Sequence, residues 1–148
     1  MGKTCVLFLC VGNSCRSQMA EGFARDLHGD RLEVASAGSE ARGVDPRAVL
    51  VMAEAGVDIS GQRSKTTDQL GDREFDYAIT VCDPEGEACP FYPAARTAIH
   101  RSFPDPPKLA ASATGEEEAL DIYRRVRDSI RAYVRTLPDT LPQMVPGT

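Results

Sequence analysis

The sequence predicts one α/β domain built on a four-stranded parallel sheet flanked by helices. Three observations predict it. Short apolar runs alternate with helical patterns, the arrangement of a parallel sheet with right-handed crossovers. The segments richest in chemistry each follow an expected strand, where ligands of such sheets bind. The length of 148 residues, with 42% hydrophobic and 26% charged residues, suits one domain with its own core.

Val6-Leu7-Phe8-Leu9 is continuously apolar, so it reads as a central strand buried on both faces. The turn residues Gly12-Asn13-Ser14 follow, and then Met19, Ala20, Phe23 and Leu27 recur at helical steps. Glu33 to Ala37 reads as a second strand, closed by Gly38. Pro46 opens a helix, a position proline tolerates. Its expected apolar face is Val49, Leu50, Met52 and Ala53, with Gly56 at its end. Ser60 to Asp72 is polar and irregular and is expected to be a surface connection. Asp76 to Val81 is the third strand and runs into Cys82-Asp83-Pro84, while Ala94 to Ile99 is a weaker fourth. Phe103-Pro104-Asp105-Pro106-Pro107 is expected to be a stiff extended loop, because proline fixes its own φ and restrains its predecessor. Thr114 with Glu117 reads as a capping box for the last helix. Ala119, Leu120, Tyr123, Val126, Ile130, Val134 and Leu137 form its apolar face, and Pro138 stops it. The domain is expected to span residues 1–137, with residues 138–148 as a flexible C-terminal tail.

The bulk composition excludes several function classes. A net charge of −5 argues against nucleic acid or an anionic membrane as partner. It leaves room for a small anion at a locally positive site. The arginines around Arg124, Arg125 and Arg127 read as a solvated helix face. No segment has the length and polarity of a membrane span, and no signal-peptide pattern follows Met1, so the cytoplasm is expected. Nothing suggests an obligate oligomer, and a monomer is expected. The cysteines are Cys5, Cys10, Cys15, Cys82 and Cys89, and in a reducing compartment an odd count does not read as a disulfide framework. Their spacing is not that of a zinc ribbon, and His28 and His100 stand alone, so no metal site is expected. Catalysis or redox chemistry remains for some of these thiols, with Cys5 and Cys15 read as structural.

The first loop, Cys10-Val11-Gly12-Asn13-Ser14-Cys15-Arg16-Ser17, runs from the first strand into a helix. Orphan N–H groups and the helix dipole make such a loop an anion cradle. Gly12 is expected to take positive φ and let the backbone approach the ligand. Arg16 brings a planar guanidinium able to hold two oxyanion oxygens. The same donors stabilise a thiolate, so Cys10 is expected to have a depressed pKa, in settings of this kind roughly 3.5–7.5. A thiolate beneath a bound oxyanion is placed for in-line attack. Ser17 is expected to donate a hydrogen bond to Cys10, and Asn13 to brace the loop.

Cys10 to Ser17 followed by Gln18-Met19-Ala20-Glu21-Gly22 resembles the active-site segment of low-molecular-weight protein tyrosine phosphatases and of the arsenate reductases that share their fold. Phe103-Pro104-Asp105-Pro106 resembles the aspartate loop of that superfamily, and the resemblance runs from Val6 to about Leu137. It implies binding of a phosphate or arsenate oxyanion by Val11 to Ser17, with Cys10 as nucleophile and Asp105 as general acid. Without it, Asp105 reads as a turn aspartate between prolines. The loop does not separate phosphatase from reductase; Cys82 and Cys89 do. Two further thiols are superfluous to a plain phosphatase, whereas reducing As(V) to As(III) takes the two electrons that one dithiol supplies. The chain is similar in this to thioredoxin-coupled arsenate reductases. That resemblance implies a relay from Cys10 to Cys82 to Cys89, ending in a disulfide that thioredoxin reduces, with no bound cofactor. Residues seven apart on a helix are separated by about 10.5 Å, and a disulfide needs Cα atoms within about 7 Å, so pairing Cys82 with Cys89 requires a looped segment. Pro106 and Pro107 stand where phosphatases acting on phosphotyrosine carry tyrosines, which weakens that alternative. Some relatives hold potassium through residues resembling Asn13, Glu21 and Ser36, but Arg63 and Lys65 replace oxygen-bearing residues here, and no obligatory potassium is expected.

Overall fold

The computed structural model describes residues 2–83 and 86–142. The first apolar run forms β1 (Thr4–Cys10), which pairs in parallel with β2 (Leu32–Gly38) on one side and β3 (Phe75–Thr80) on the other. β4 (Ala95–His100) pairs in parallel with β3, and the order is β2-β1-β3-β4. β1 is interior because its side chains are apolar on both faces. Val6 and Phe8 enter the larger core, and Leu7 and Leu9 enter a smaller cluster with Ala35, Ala37, Phe75, Ala78 and Tyr92.

The larger core is closed by α1 (Arg16–His28), α2 (Pro46–Glu54) and α4 (Glu116–Arg135). In α4 the expected apolar positions are all buried, from Ala119 through Val134, with Leu137 buried beyond its end. His28 does not stand free on the surface; its Nε2 lies 2.8 Å from the Val134 carbonyl and ties α1 to α4.

Several local expectations change. The buried face of α2 is Ala48, Val51 and Met52, while Leu50 is exposed and Val49 packs at the edge. The face is rotated because α4 covers α2 on one side only, and periodicity alone does not say which side. Within the expected irregular stretch, Thr66 and Gln69 form a reciprocal cap on a short 3-10 turn, Thr67–Leu70, and Thr66 bridges to Gly38. Pro106 and Pro107 are not extended: they open a short helix, α3 (Pro106–Ala110), with Asp105 in the N-cap position. A first-turn proline forfeits no hydrogen bond and its φ is already helical. The last helix starts one residue late, with side-chain-less Gly115 at its N-cap. Thr114 therefore reaches Glu118 instead of Glu117, donating from its N–H at 3.0 Å and its hydroxyl at 2.5 Å. Past α4, Leu141 packs on the core and Asp139 pairs with Arg31 at 2.9 Å. Residues 143–148 of the expected tail, and residues 84–85 between Cys82 and Cys89, lie outside the described residues.

Candidate active site

β1, β3 and β4 end at one edge of the sheet, and the three connections that leave them carry Cys10, Cys82 and Asp105. A cavity of about 260 Å³ opens there. Cys10, Val11, Gly12, Ser14, Cys15 and Arg16 line it, joined by Arg42, Asp45, Asp105 and Pro107. Asn13 and Ser17 are fully buried behind it.

The loop is held from behind by side chains. Asn13 is the residue with positive φ, at 45°, and not Gly12 as expected. Its Nδ2 donates to Ser17 Oγ and Ser36 Oγ, both at 2.9 Å, and its Oδ1 accepts from Gln18 Nε2 and the Lys65 N–H. Asparagine tolerates this conformation where local bonds compensate it. Gly12 serves a different need, since a Cβ there would lie 2.7 Å from Cδ of Arg42. Gly38 matters more. A Cβ on it would meet three backbone atoms of the loop, Val11 O at 2.5 Å and Asn13 N and Cys10 O at 2.8 Å. The end of β2 is thus the floor on which the loop rests.

The electrostatics of Cys10 correct an expectation. Burial pushes its thiol up from the ordinary value, and this outweighs the pull of Arg16 and of backbone N–H groups at Val11 and Ser17. Ser17 faces the sulfur through its backbone N–H, and its hydroxyl accepts from Asn13. The thiolate donors are therefore present, but desolvation wins while Arg16 is engaged elsewhere. Arg16 is 3% exposed. Its Nη1 and Nη2 donate to the two oxygens of Glu87 at 2.8 and 2.6 Å, and Nη1 also donates to the Phe103 carbonyl at 3.1 Å. Asp105 Oδ2 lies 3.8 Å from Nη2. Arg16 holds the Glu87 carboxyl below its usual range, chiefly through these hydrogen bonds.

Cys82 is fully buried beyond β3 and forms a disulfide with half-buried Cys89, with Cα atoms 6.2 Å apart. The described part of the intervening segment is a turn, consistent with the looped path that the spacing demands. Cys5, Cys10 and Cys15 are free thiols. Cys15 is buried below the cavity, and burial pushes its thiol well up, so it reads as a packing residue.

Behind the loop, Ser36 Oγ donates to Glu21 Oε1 at 2.6 Å. Arg25 pairs with Glu21 Oε2 at 2.8 Å, and the Lys65 ammonium lies 4.0 Å from Oε1 and donates to the Arg63 carbonyl. Two protein cations already serve this carboxylate. These residues do not fit a further monovalent cation.

Three residues of the site are missed by the sequence reading. Glu87 reaches Arg16 across 71 residues. Asp45 lines the cavity and accepts from the Tyr123 hydroxyl at 2.5 Å, across 78 residues. Arg42 stands at the rim, paired with Glu40. Asp45 alone had a local mark, as the residue before Pro46, and it caps α2 by accepting from the Arg47 N–H at 2.8 Å.

The family described as low molecular weight phosphotyrosine protein phosphatase matches residues 5–145. The chain belongs to this family. Among its relatives is an arsenate reductase of Halalkalibacterium halodurans, 44% identical over 140 residues, spanning 95% of this chain and 99% of the relative. A solved arsenate reductase in its phosphate-binding state superimposes with a TM-score of 0.75 at 33% identity, covering 90% of this chain and 95% of that one. A thioredoxin-dependent arsenate reductase of Corynebacterium glutamicum gives a TM-score of 0.60 at 30% identity, covering 90% of this chain and 61% of that one. Within the phosphatase family, then, the similarity extends to members named as reductases.

Proposed function

We propose that this chain reduces arsenate to arsenite through Cys10, Cys82 and Cys89, with the final disulfide reduced by thioredoxin. The observation that carries the reading is the Cys82–Cys89 disulfide at the sheet edge that also bears the oxyanion loop. The names of the relatives support it.

Arsenate enters the cradle of loop N–H groups, held by Arg16. The Cys10 thiolate attacks arsenic, Asp105 protonates a departing oxygen, and water leaves. The Cys82 thiolate then attacks Cys10 Sγ. The S–As bond breaks, its electron pair stays on arsenic, and arsenite departs. The Cys89 thiolate attacks Cys82 Sγ and frees Cys10 as thiolate. One disulfide has formed, and arsenic has gained two electrons. The dithiol of thioredoxin returns two electrons and two protons to Cys82 and Cys89. No organic cofactor takes part, and Lys65 and Arg25 keep Glu21 in place in sodium as well as in potassium buffers. The enzyme works as a monomer in the cytoplasm, where thioredoxin is kept reduced.

The test is arsenate-dependent NADPH oxidation with thioredoxin and its reductase. Wild type turns over, and Cys10→Ser, Cys82→Ser and Cys89→Ser each lose turnover. Full activity in Cys82→Ser or Cys89→Ser would sink the relay. Efficient cleavage of aryl phosphates without arsenate reduction would establish the phosphatase reading instead. A weak phosphatase activity accompanies the reductase, because the cradle accepts phosphate too.

A further inference from the structure

The loop closed by the disulfide carries a carboxylate into the oxyanion site. Glu87 stands two residues before Cys89 and takes both Nη groups of Arg16. It is also fixed from its own side. Its Oε2 accepts the Asp83 N–H at 2.7 Å, and its N–H donates to the Asp83 carbonyl at 2.8 Å. Asp83 and Glu87 both lie between Cys82 and Cys89, so the S–S bond keeps the pair together, and their two hydrogen bonds hold the carboxylate on the guanidinium.

The charge balance gives the contact a consequence. Arg16 is the buried cation of the cavity, and a bidentate carboxylate cancels it. Asp105 and Asp45 add negative charge at the same cavity, and Arg42 at its rim is already paired with Glu40. An oxyanion entering this state meets carboxylates and a neutralised arginine. The raised Cys10 thiol agrees with that balance: burial pushes it up first, and Glu87 adds to the push.

We propose that Glu87 is an internal carboxylate ligand of Arg16 that closes the site to oxyanions while Cys82 and Cys89 are bonded, and that leaves Arg16 when the bond is reduced. This extends the relay and rests on it only for its purpose. A spent enzyme that bound a second arsenate would form a Cys10 adduct with no thiol ready to resolve it. Glu87 keeps the first station closed until the last is restored. Reduction by a small dithiol such as dithiothreitol is enough to open it: two electrons and two protons convert the S–S bond to two thiols, and the reagent closes to its cyclic disulfide. Linkage makes the effect reciprocal. An oxyanion that prefers the dithiol form must also raise the reduction potential of the pair.

Inorganic phosphate is the probe, titrated calorimetrically into the disulfide and dithiol forms of wild type and Glu87→Gln. Wild type binds phosphate about tenfold more weakly as the disulfide, the effect of about 1.4 kcal/mol. Glu87→Gln, isosteric and uncharged, removes the gap by strengthening the disulfide form. In a redox titration, saturating phosphate raises the Cys82–Cys89 potential by about 30 mV, the two-electron equivalent of tenfold. That shift vanishes in Glu87→Gln. Equal phosphate affinity in the two wild-type states overturns the proposal, and that comparison needs no variant to fold. Weaker binding by disulfide-form Glu87→Gln also overturns it, since Glu87 would then orient Arg16 for the anion. No arm uses arsenate, so failure here leaves the relay standing, and failure of the relay leaves this coupling testable.

Discussion

Tyr123 reaches through the core from α4 to place its hydroxyl on Asp45 at the cavity wall. Burial and then the Asp45 carboxylate push its phenol far up, so it stays a donor at all working pH values. Tyr123→Phe removes a hydrogen bond to a charged group and is expected to cost about 1.5–3 kcal/mol, read as a lower urea midpoint at unchanged slope. Cys10 offers a test of protonation. A raised thiol pKa means that the thiolate fraction keeps growing with pH past the ordinary value of about 8.5. Carboxamidomethylation of Cys10 in the disulfide form, followed by peptide mass, is therefore slow near neutrality and still accelerating above that value. A plateau below pH 8 contradicts the raised pKa. At this scale the sequence is legible where a contiguous pattern carries the chemistry. Cys10 and Arg16 could be placed together because they belong to one run of eight residues, six of which line the cavity. Glu87 and Asp45 could not, because their partners lie 71 and 78 residues away. The same distance explains the misjudged Cys10 thiol: its neighbours were visible, but its burial and Glu87 were not.

The connection between β2 and the cradle shows what an element boundary can do. Gly38 reads in the sequence as a strand stop, yet the loop backbone lies directly where its side chain would be. Backbone, unlike a long side chain, has no easy way to yield. Gly38→Ala is expected to lose phosphate binding by at least about tenfold while the sheet persists, measured by titration alongside circular dichroism. Retained binding would show that the loop can lift without loss. The strands themselves were legible to within a residue or two, β1 because continuous burial leaves an unbroken apolar run and the others from shorter or interrupted apolar stretches. The α2 face and α3 were not. Which side of a short helix is covered depends on α4, and Pro106-Pro107 suits an extended loop and a first helical turn equally well.

Across the whole molecule, parallel topology gathers the chemistry at one edge and leaves the rest of the chain to build the floor beneath it. α4 supplies much of that floor, with Ile130 and Val134 fully buried. Ile130→Ala is expected to destabilise the fold by about 2–5 kcal/mol, with phosphate affinity unchanged in the folded fraction. A loss of affinity without a loss of stability would mean that α4 acts on the cradle through Tyr123 instead of through the core. The parallel sheet was legible from alternation, but its strand order was not; the looped path from Cys82 to Cys89 followed from their spacing, whereas the ion pair that Glu87 makes from within it did not.

The guanidinium of Arg16 spends its Nη groups on Glu87 and Phe103, and among the described residues its Nε has no partner although it is shielded from solvent. A shielded N–H exchanges slowly with water, so the Arg16 Nε–H group is expected to give its own proton–nitrogen-15 correlation. That signal is a built-in reporter: an anion in the cradle is expected to shift it, and so is cleavage of the Cys82–Cys89 bond without any added ligand. The occupancy of the site can then be followed by one atom, in an unmodified chain, with no substrate turning over.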